Sequence, residues 1–175
     1  SQTELDQAKE EFGDRIRTVQ GDIYHTPFKD DEFSALLMVR ATHHFADLPA
    51  VIKELHRILE PGGVAVIEVA NKRTLPKMFR YWFKKSKVNP FDKKPSNLKN
   101  IDKDGFYNYH PAYVEDLFRK SGFEIDNILS VSNFRSQTMK KIFKTKALVA
   151  LEKKLQKPLA SLRFAPSIYY RLIKK

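Results

Sequence analysis

Residues 49–70 read PAVIKELHRILEPGGVAVIEVA, and this helix–turn–strand stretch decides the fold. Its first half places apolar side chains at helical spacing, namely Val51, Ile52, Leu55, Ile58 and Leu59. Asp47 precedes them as a helix N-cap, and the Pro-Gly-Gly turn at residues 61–63 ends the helix. Residues 64–70 then have the near-continuous apolar character of a buried strand.

The same patterns continue on both sides of this stretch. Residues 33–39, FSALLMV, form a second apolar run of the kind that is buried on both faces of a sheet, and residues 16–20 form a short β-prone run before it. Downstream, the patterns predict a helix over 111–121, a strand over 123–134, a basic helix over 136–163 with Met139 in its apolar stripe, and a final strand over 166–173. Strands that alternate with helices predict an α/β fold with a mainly parallel sheet.

We expect a single domain over residues 1–175. Within it, residues 74–110 interrupt the regular alternation and are interpreted as a segment that covers the substrate. Residues 136–163 are interpreted as a basic helical insertion before the last strand.

Composition excludes several classes of protein. The chain has 42% hydrophobic and 30% charged residues, as a globular domain does. It has no cysteine, which excludes disulfides, thiolate zinc sites and a cysteine nucleophile. Its five histidines show no metal-ligand spacing, so no metal is expected. No stretch reaches the roughly 18–20 apolar residues of a membrane span, and the N-terminal residues are polar, so we expect a cytoplasmic protein.

The net charge of +11 is concentrated in two segments. Residues 72–103 carry 11 Lys and Arg against 2 acidic residues, and residues 135–175 carry 12 against 1. One interpretation is a solvated surface that keeps the protein soluble. The other is contact with an anionic substrate, a nucleic acid or anionic lipid headgroups.

Several motifs, taken together and in order, resemble the class I SAM-dependent methyltransferases, in particular the type 11 group. They are VQGD at residues 19–22 followed by Pro27 and Phe28, FSALLMV at 33–39 leading to HHF at 43–45, LHRILEPGG at 55–63, YHP at 109–111 and KSGFE at 120–124. The resemblance covers roughly residues 1–135 and the closing strand. It implies a Rossmann-like sheet and S-adenosylmethionine as cofactor.

The resemblance also implies which residues bind the cofactor. The acid that matches Asp22 accepts a hydrogen bond from the adenine amino group, a role that suits an acceptor-only carboxylate. Capping of a strand-to-loop turn is the alternative role for Asp22. The residues expected at the cofactor are Asp22, Ile23, Arg40, Ala41 and His44. Residues 40–45 follow a parallel strand, at the edge where open α/β sheets bind ligands.

For the chemical step, the candidate general bases are His43, Tyr109 and His110. The expected acceptor is a small apolar or aromatic molecule, or an anionic one. It would contact Phe45, Phe79, Trp82 and Tyr107. Core packing of an ordinary lid helix explains the aromatic stripe at residues 75–83 equally well.

The chain departs from the family at its front. Its six glycines include no Gly-x-Gly, although the family begins with a strand, a Gly-x-Gly-x-Gly loop and a second strand. Ser34 also replaces the usual acid after Phe33. The family sheet order is 3-2-1-4-5-7-6. We therefore expect an N-terminally incomplete methyltransferase sheet whose first two strands are absent and are supplied by a longer chain or a second chain.

Two other functions stay open beside the enzyme. One is a degenerate methyltransferase fold that acts as a binding module or scaffold without catalysis. The other is contact with nucleic acid or a membrane surface through the basic segments. The missing glycine loop favours the scaffold, whereas the presence of Asp22 and of His43 and His44 argues against it.

Overall fold

The computed structural model describes residues 2–97, 105–134 and 141–175. The strands in chain order are β1 (Phe33–Met38), β2 (Leu59–Ala70), β3 (Ser96–Asn97), β4 (Tyr107–Asn108), β5 (Phe123–Val131) and β6 (Ser167–Lys174). The α-helices are α1 (Gln2–Phe12), α2 (Leu48–Ile58), α3 (Leu75–Trp82), α4 (Pro111–Lys120) and α5 (Thr145–Ala160). Short 3-10 turns occupy Gly13–Arg15 and Thr42–His44.

Four strands form the main sheet in the order β1-β2-β6-β5. β1 and β2 are parallel, whereas β6 runs antiparallel to both β2 and β5. This is the 4-5-7-6 part of the order that the resemblance implies, so the predicted fold class is confirmed. The short strands β3 and β4 form a separate antiparallel pair.

The predicted helix and strand are present, but no separate turn joins them, because α2 ends at Ile58 and β2, which begins at Leu59, includes the Pro-Gly-Gly of residues 61–63. The Asp47 carboxylate accepts a hydrogen bond from the Ala50 amide at 3.0 Å and caps α2. The buried face of α2 joins alternate residues of β2 and β6 in one core, which includes Val51, Ile52, Ile67, Tyr170 and Leu172. Burial of this apolar face stabilises the helix against the sheet.

Two glycines shape the start of β2, where its register with β1 shifts. Gly62 has a φ of +78°, which L side chains rarely adopt. A Cβ on Gly63 would lie 2.8 Å from the Glu60 carbonyl oxygen and from the Leu59 side chain. The chain therefore folds back closely enough that only glycine fits at residue 63.

Two predictions for the N-terminal part are wrong. Residues 16–20 are not a strand, and Ile16 is exposed. β1 is not buried on both faces, since the side chain of Leu37 is 75% exposed. Both differences have one cause: within the described part of the chain, β1 pairs only with β2, and its other edge has no strand beside it. A β-prone run cannot become a strand without a partner.

The covering segment also differs from its prediction. The aromatic stripe of α3 does not pack into a core, because α3 has no fully buried side chain. Phe79, Trp82 and Phe83 are more than half exposed. The predicted basic helix over 136–163 is a helix over Thr145–Ala160, with Leu148 buried; Met139 lies outside the described residues. No helix within the described ranges is long and apolar enough to cross a membrane.

Candidate active site

A cavity that we call the main cavity lies where β1 and β2 end. Its volume is about 1000 Å³. Strand ends and α3 contribute Arg40, His43, Glu68, Asn71, Lys77 and Arg80, and the β4 region adds Phe106 and Asn108. The loop after β5 and the segment around the end of α5 complete the wall with Asn133, Leu159, Leu162 and Phe164. This is the edge at which parallel α/β sheets bind ligands.

The turn at residues 40–45 is fixed by the end of β2. Arg40 has a φ of +57°, and its amide donates to Glu68 Oε2 at 2.8 Å. The Thr42 hydroxyl donates to the Glu68 carbonyl oxygen at 2.9 Å. These bonds hold the following residue, His43, at the wall of the main cavity.

His43 is the one predicted base that lines the main cavity. Its ring stacks on Phe106 with centroids 4.3 Å apart. Burial lowers the pKa of His43 below its usual 6.5, and the neighbouring His44 lowers it further. The imidazole is therefore neutral at neutral pH and able to accept a proton.

Tyr109 and His110 are used within the fold. The Tyr109 hydroxyl is buried and donates to the Phe45 carbonyl oxygen at 2.6 Å, and burial raises its pKa. His110 caps α4, because its Nδ1 accepts a hydrogen bond from the Ala112 amide at 3.2 Å. Neither side chain lines the main cavity. Both hold the site in place, and neither is positioned as its base.

A second cavity, of about 380 Å³, lies on the other side of the turn. It runs beside β1 and contains three of the predicted site residues, Ile23, Ala41 and Phe45. Asp22 directly precedes Ile23 in the chain, and its side chain is exposed. Its Oδ1 accepts a hydrogen bond from the Tyr24 amide at 3.0 Å. Tyr24 and Phe45 meet edge to face at 6.4 Å, so the loop after Asp22 contacts the turn.

Of the remaining predicted site residues, some lie at the main cavity and others lie away from it. Arg40 lines the main cavity, and His44 is exposed beside it on the turn. Tyr107 is half-buried against Tyr109 rather than in the cavity wall. Phe79 and Trp82 point away from the main cavity, which takes Leu75, Lys77 and Arg80 from the same helix.

Lys77 and Arg80 were not among the residues predicted for the site; the basic segment that contains them, residues 72–103, was predicted either as a solvated surface or as a contact with an anion. Lys77 Nζ donates to the Asn71 carbonyl oxygen at 2.9 Å and to Asn108 Oδ1 at 3.2 Å. Burial lowers the pKa of Lys77 to about 8, and the charge of Lys72 adds to the effect. Helical spacing shows which residues share a face of α3, but it does not show which face turns inward.

The residues present fit part of a SAM site. The Asp22 carboxylate is exposed and keeps acceptor capacity for an amino group, and Ile23 and Ala41 offer an apolar wall. The chain has no glycine-rich loop for close backbone approach. The described residues therefore supply one side of such a site.

The fold is that of the class I SAM-dependent methyltransferases. The family model described as "Methyltransferase domain" matches residues 1–67, which confirms the resemblance. A solved S-adenosylmethionine dependent methyltransferase from Mesorhizobium loti superposes with a TM-score of 0.66; it is 15% identical, and the match covers 99% of this chain and 77% of that one. At this identity the likeness shows the fold.

Two curated relatives match over shorter stretches. A sterol 24-C-methyltransferase of Gibberella zeae is 41% identical over 56 residues, which is 32% of this chain and 15% of that protein. A demethylmenaquinone methyltransferase of Lysinibacillus sphaericus is 30% identical over 73 residues, which is 40% of this chain and 31% of that protein. The chain thus spans less than a third of the length of either relative.

Proposed function

We propose that the described residues form the acceptor side of a SAM-dependent methyltransferase. The observation that carries this proposal is the turn at residues 40–45, which separates two cavities. Its His43 faces the main cavity, whereas its Ala41 and Phe45 line the second cavity. A turn of this kind can hold two reactants on either side of one transfer point.

In this proposal the cofactor lies along the turn on the side of Asp22. Asp22 would accept a hydrogen bond from its amino group, Ile23 and Ala41 would contact its rings, and Arg40 and His44 would border its polar end. S-adenosylmethionine, when bound, supplies an electrophilic methyl group on a sulfonium. The chain's own residues orient the acceptor and remove its proton.

The acceptor is proposed to bind in the main cavity. The wall combines apolar side chains, such as Leu75, Phe106 and Phe164, with the cations Arg40 and Lys77. This supports an apolar or aromatic acceptor that carries negative charge. The relatives named for a sterol and for demethylmenaquinone are consistent with an apolar acceptor body. His43 would take the proton that the acceptor loses on methylation.

We also propose that the open edge of β1 is paired in the active protein. The edge is bordered by the second cavity, and Leu37 and Val39 are exposed along it. A hydrophobic strand with a free edge is a pairing site for another strand. A longer chain or a second chain would supply that strand and complete the cofactor side.

A third proposal concerns the exposed face of α3, formed by Leu75, Phe79, Trp82 and Phe83. Three exposed lysines, Lys84, Lys85 and Lys87, follow it directly. Aromatic and aliphatic side chains next to lysines suit the interface of an anionic lipid surface. Because Leu75 also lines the main cavity, an apolar acceptor could pass from lipid to the cavity along this helix.

The test of the methyltransferase proposal is calorimetric titration of S-adenosylhomocysteine. S-adenosylhomocysteine is titrated into the purified chain and, where the gene encodes a longer product, into that product as well. We expect micromolar binding once β1 is paired, weakened about tenfold by Asp22→Asn. Asp14→Asn, another exposed acid, is the control. Absence of binding to any form contradicts the proposal. Binding without methyl transfer to any acceptor supports the scaffold.

A further inference from the structure

A side cavity adjoins the main cavity beneath α3. Its volume is about 220 Å³, and it is lined by Lys72, Lys77, Arg80, Ser86, Val88, Pro90, Ser96 and Asn108. Lys77, Arg80 and Asn108 also line the main cavity. A ligand in the main cavity can therefore extend a group into the side cavity between these three residues.

Within the described ranges the hydrogen-bond partners of the side-cavity lysines are neutral, although the exposed Asp92 carboxylate is near enough to raise the pKa of Lys72. Lys72 is 3% exposed, and its Nζ donates to the carbonyl oxygens of Asp92 at 2.9 Å and Lys94 at 2.6 Å. Lys77 donates to one backbone and one amide oxygen. No ion pair joins either lysine, or Arg80, to a carboxylate of the described residues.

With one exposed carboxylate beside three cations, this arrangement is energetically unfavourable without a further anion. A buried charge is costly unless an opposite charge accompanies it. Burial lowers the pKa of both lysines. The charge of Lys72 lowers the pKa of Lys77 further, whereas the Asp92 carboxylate partly offsets the effect of burial on Lys72. A solvated face does not explain Lys72, because its side chain has almost no contact with water.

Each ammonium retains donor capacity toward the cavity. An ammonium has three N–H donors, and the neutral partners above use two of them on Lys72 and two on Lys77. The Ser86 oxygen accepts from the Val88 amide at 3.2 Å, so its hydroxyl hydrogen is available for donation. Arg80 adds a planar guanidinium, which matches the oxygens of a phosphoryl group.

We propose that the side cavity is a phosphoryl-binding subsite held by Lys72, Lys77, Arg80 and Ser86. A phosphoryl group carries up to two negative charges and three acceptor oxygens, which the three cations and the hydroxyl satisfy. The inference rests on the proposed function and deepens it, since the methyl acceptor would carry this group next to its apolar body. The phosphoryl group could belong to a soluble acceptor or to a lipid headgroup.

The first experiment is calorimetric titration of inorganic phosphate into the full chain at constant ionic strength, without cofactor. We expect saturable binding that Lys77→Met weakens about tenfold. Lys85→Met is the matched control, because Lys85 is exposed three residues after α3 and lines neither cavity. Arg80→Gln is a second variant at an exposed position of α3, so it tests the subsite even if Lys77→Met does not fold.

Two further probes distinguish the sources of the phosphoryl group. Phenyl phosphate that binds more tightly than inorganic phosphate indicates a soluble aromatic acceptor. Tighter binding of dihexanoyl phosphatidic acid as a monomer indicates a lipid headgroup. Absence of saturable binding of all three probes, or equal binding by the Lys77→Met and Lys85→Met variants, overturns the proposal. S-adenosylhomocysteine binding in the same samples shows separately whether the cofactor side has failed.

Discussion

His43 and Phe106 stack with their ring planes 26° apart and their centroids 4.3 Å apart. The two residues come from different parts of the fold: His43 lies in the turn after β1, and Phe106 directly precedes β4. Their contact forms part of the wall of the main cavity. The imidazole is thereby held in one orientation toward the space where an acceptor would bind.

The first prediction concerns His43 as the base. We expect His43→Gln to lower the rate of methyl transfer about 100-fold, because the acceptor would lose its proton to solvent instead. Binding of S-adenosylhomocysteine should stay within twofold. His25→Gln is the control, because His25 is exposed and lines neither cavity. Equal losses in the two variants would remove His43 from the chemical step.

The second prediction is the pH dependence of transfer. Burial and the neighbouring His44 lower the pKa of His43 below 6.5. The neutral base therefore predominates at pH 7, and the rate should fall mainly when the pH drops below 6.5. The measurement is the rate at saturating cofactor between pH 5 and 8. An acid limb centred above pH 7 would contradict this assignment.

The third prediction concerns Glu54, whose carboxylate ties α2 to the loop before β1. It accepts from the Arg57 guanidinium at 2.6 Å and from the Thr26 hydroxyl at 2.6 Å, and these bonds lower its pKa from 4.5 to about 2. The stabilisation is present above pH 4.5 and is lost as the pH falls toward 2. We expect Glu54→Gln to lower the free energy of unfolding by about 2 kcal/mol at pH 7.

Urea unfolding of both proteins at pH 7 and pH 3 measures this effect. The difference between wild type and Glu54→Gln should be smaller at pH 3, where the wild-type carboxylate begins to protonate. Glu10→Gln, on an exposed face of α1, serves as the control. If wild type and Glu54→Gln differed in free energy of unfolding by the same amount at both pH values, the charge of Glu54 would not be the source of the stabilisation.

The fourth prediction concerns the exposed face of α3. Sedimentation with vesicles that contain phosphatidylserine should capture the protein, and Trp82→Ser should reduce the bound fraction severalfold. Phe12→Ser, an exposed aromatic residue on α1, should leave binding unchanged. Equal capture of the two variants would contradict lipid docking. Preferential capture by single-stranded DNA would instead assign the surface to nucleic acid.

The fifth prediction concerns the two glycines at the start of β2. Gly63→Ala should lower the free energy of unfolding by about 1–3 kcal/mol, because its Cβ would lie 2.8 Å from the Glu60 carbonyl oxygen. Gly62→Asn is the matched change, since Gly62 has open space and asparagine tolerates a positive φ. Chemical denaturation measures both. A larger loss for Gly62→Asn would contradict the steric argument.

The sequence predicted those elements whose signals are local. The apolar stripe of α2 and the Asp47 cap lie within a few residues of each other, and the structure has them as expected. The strand predicted over residues 16–20 is absent, since a strand depends on a partner that is distant in sequence. The inward orientation of Lys77 depends likewise on the whole fold.

The candidate site likewise combines features that local sequence predicted with features that depend on distant partners. The motifs placed His43, Tyr109 and His110 near the strand ends, where the structure has them. Sequence could not show that the Tyr109 hydroxyl bonds to the Phe45 carbonyl oxygen, or that His110 caps α4. Such assignments depend on side-chain partners, and these become visible only once the elements are packed.

The edge of β1 that no described strand pairs with has a consequence for handling the protein. It presents a row of backbone donors and acceptors beside the exposed side chain of Leu37. In concentrated solution two copies can satisfy these groups by joining edge to edge, which extends the sheet across molecules. Self-association should therefore rise with concentration, and a strand-mimicking peptide that caps the edge should keep the chain monomeric.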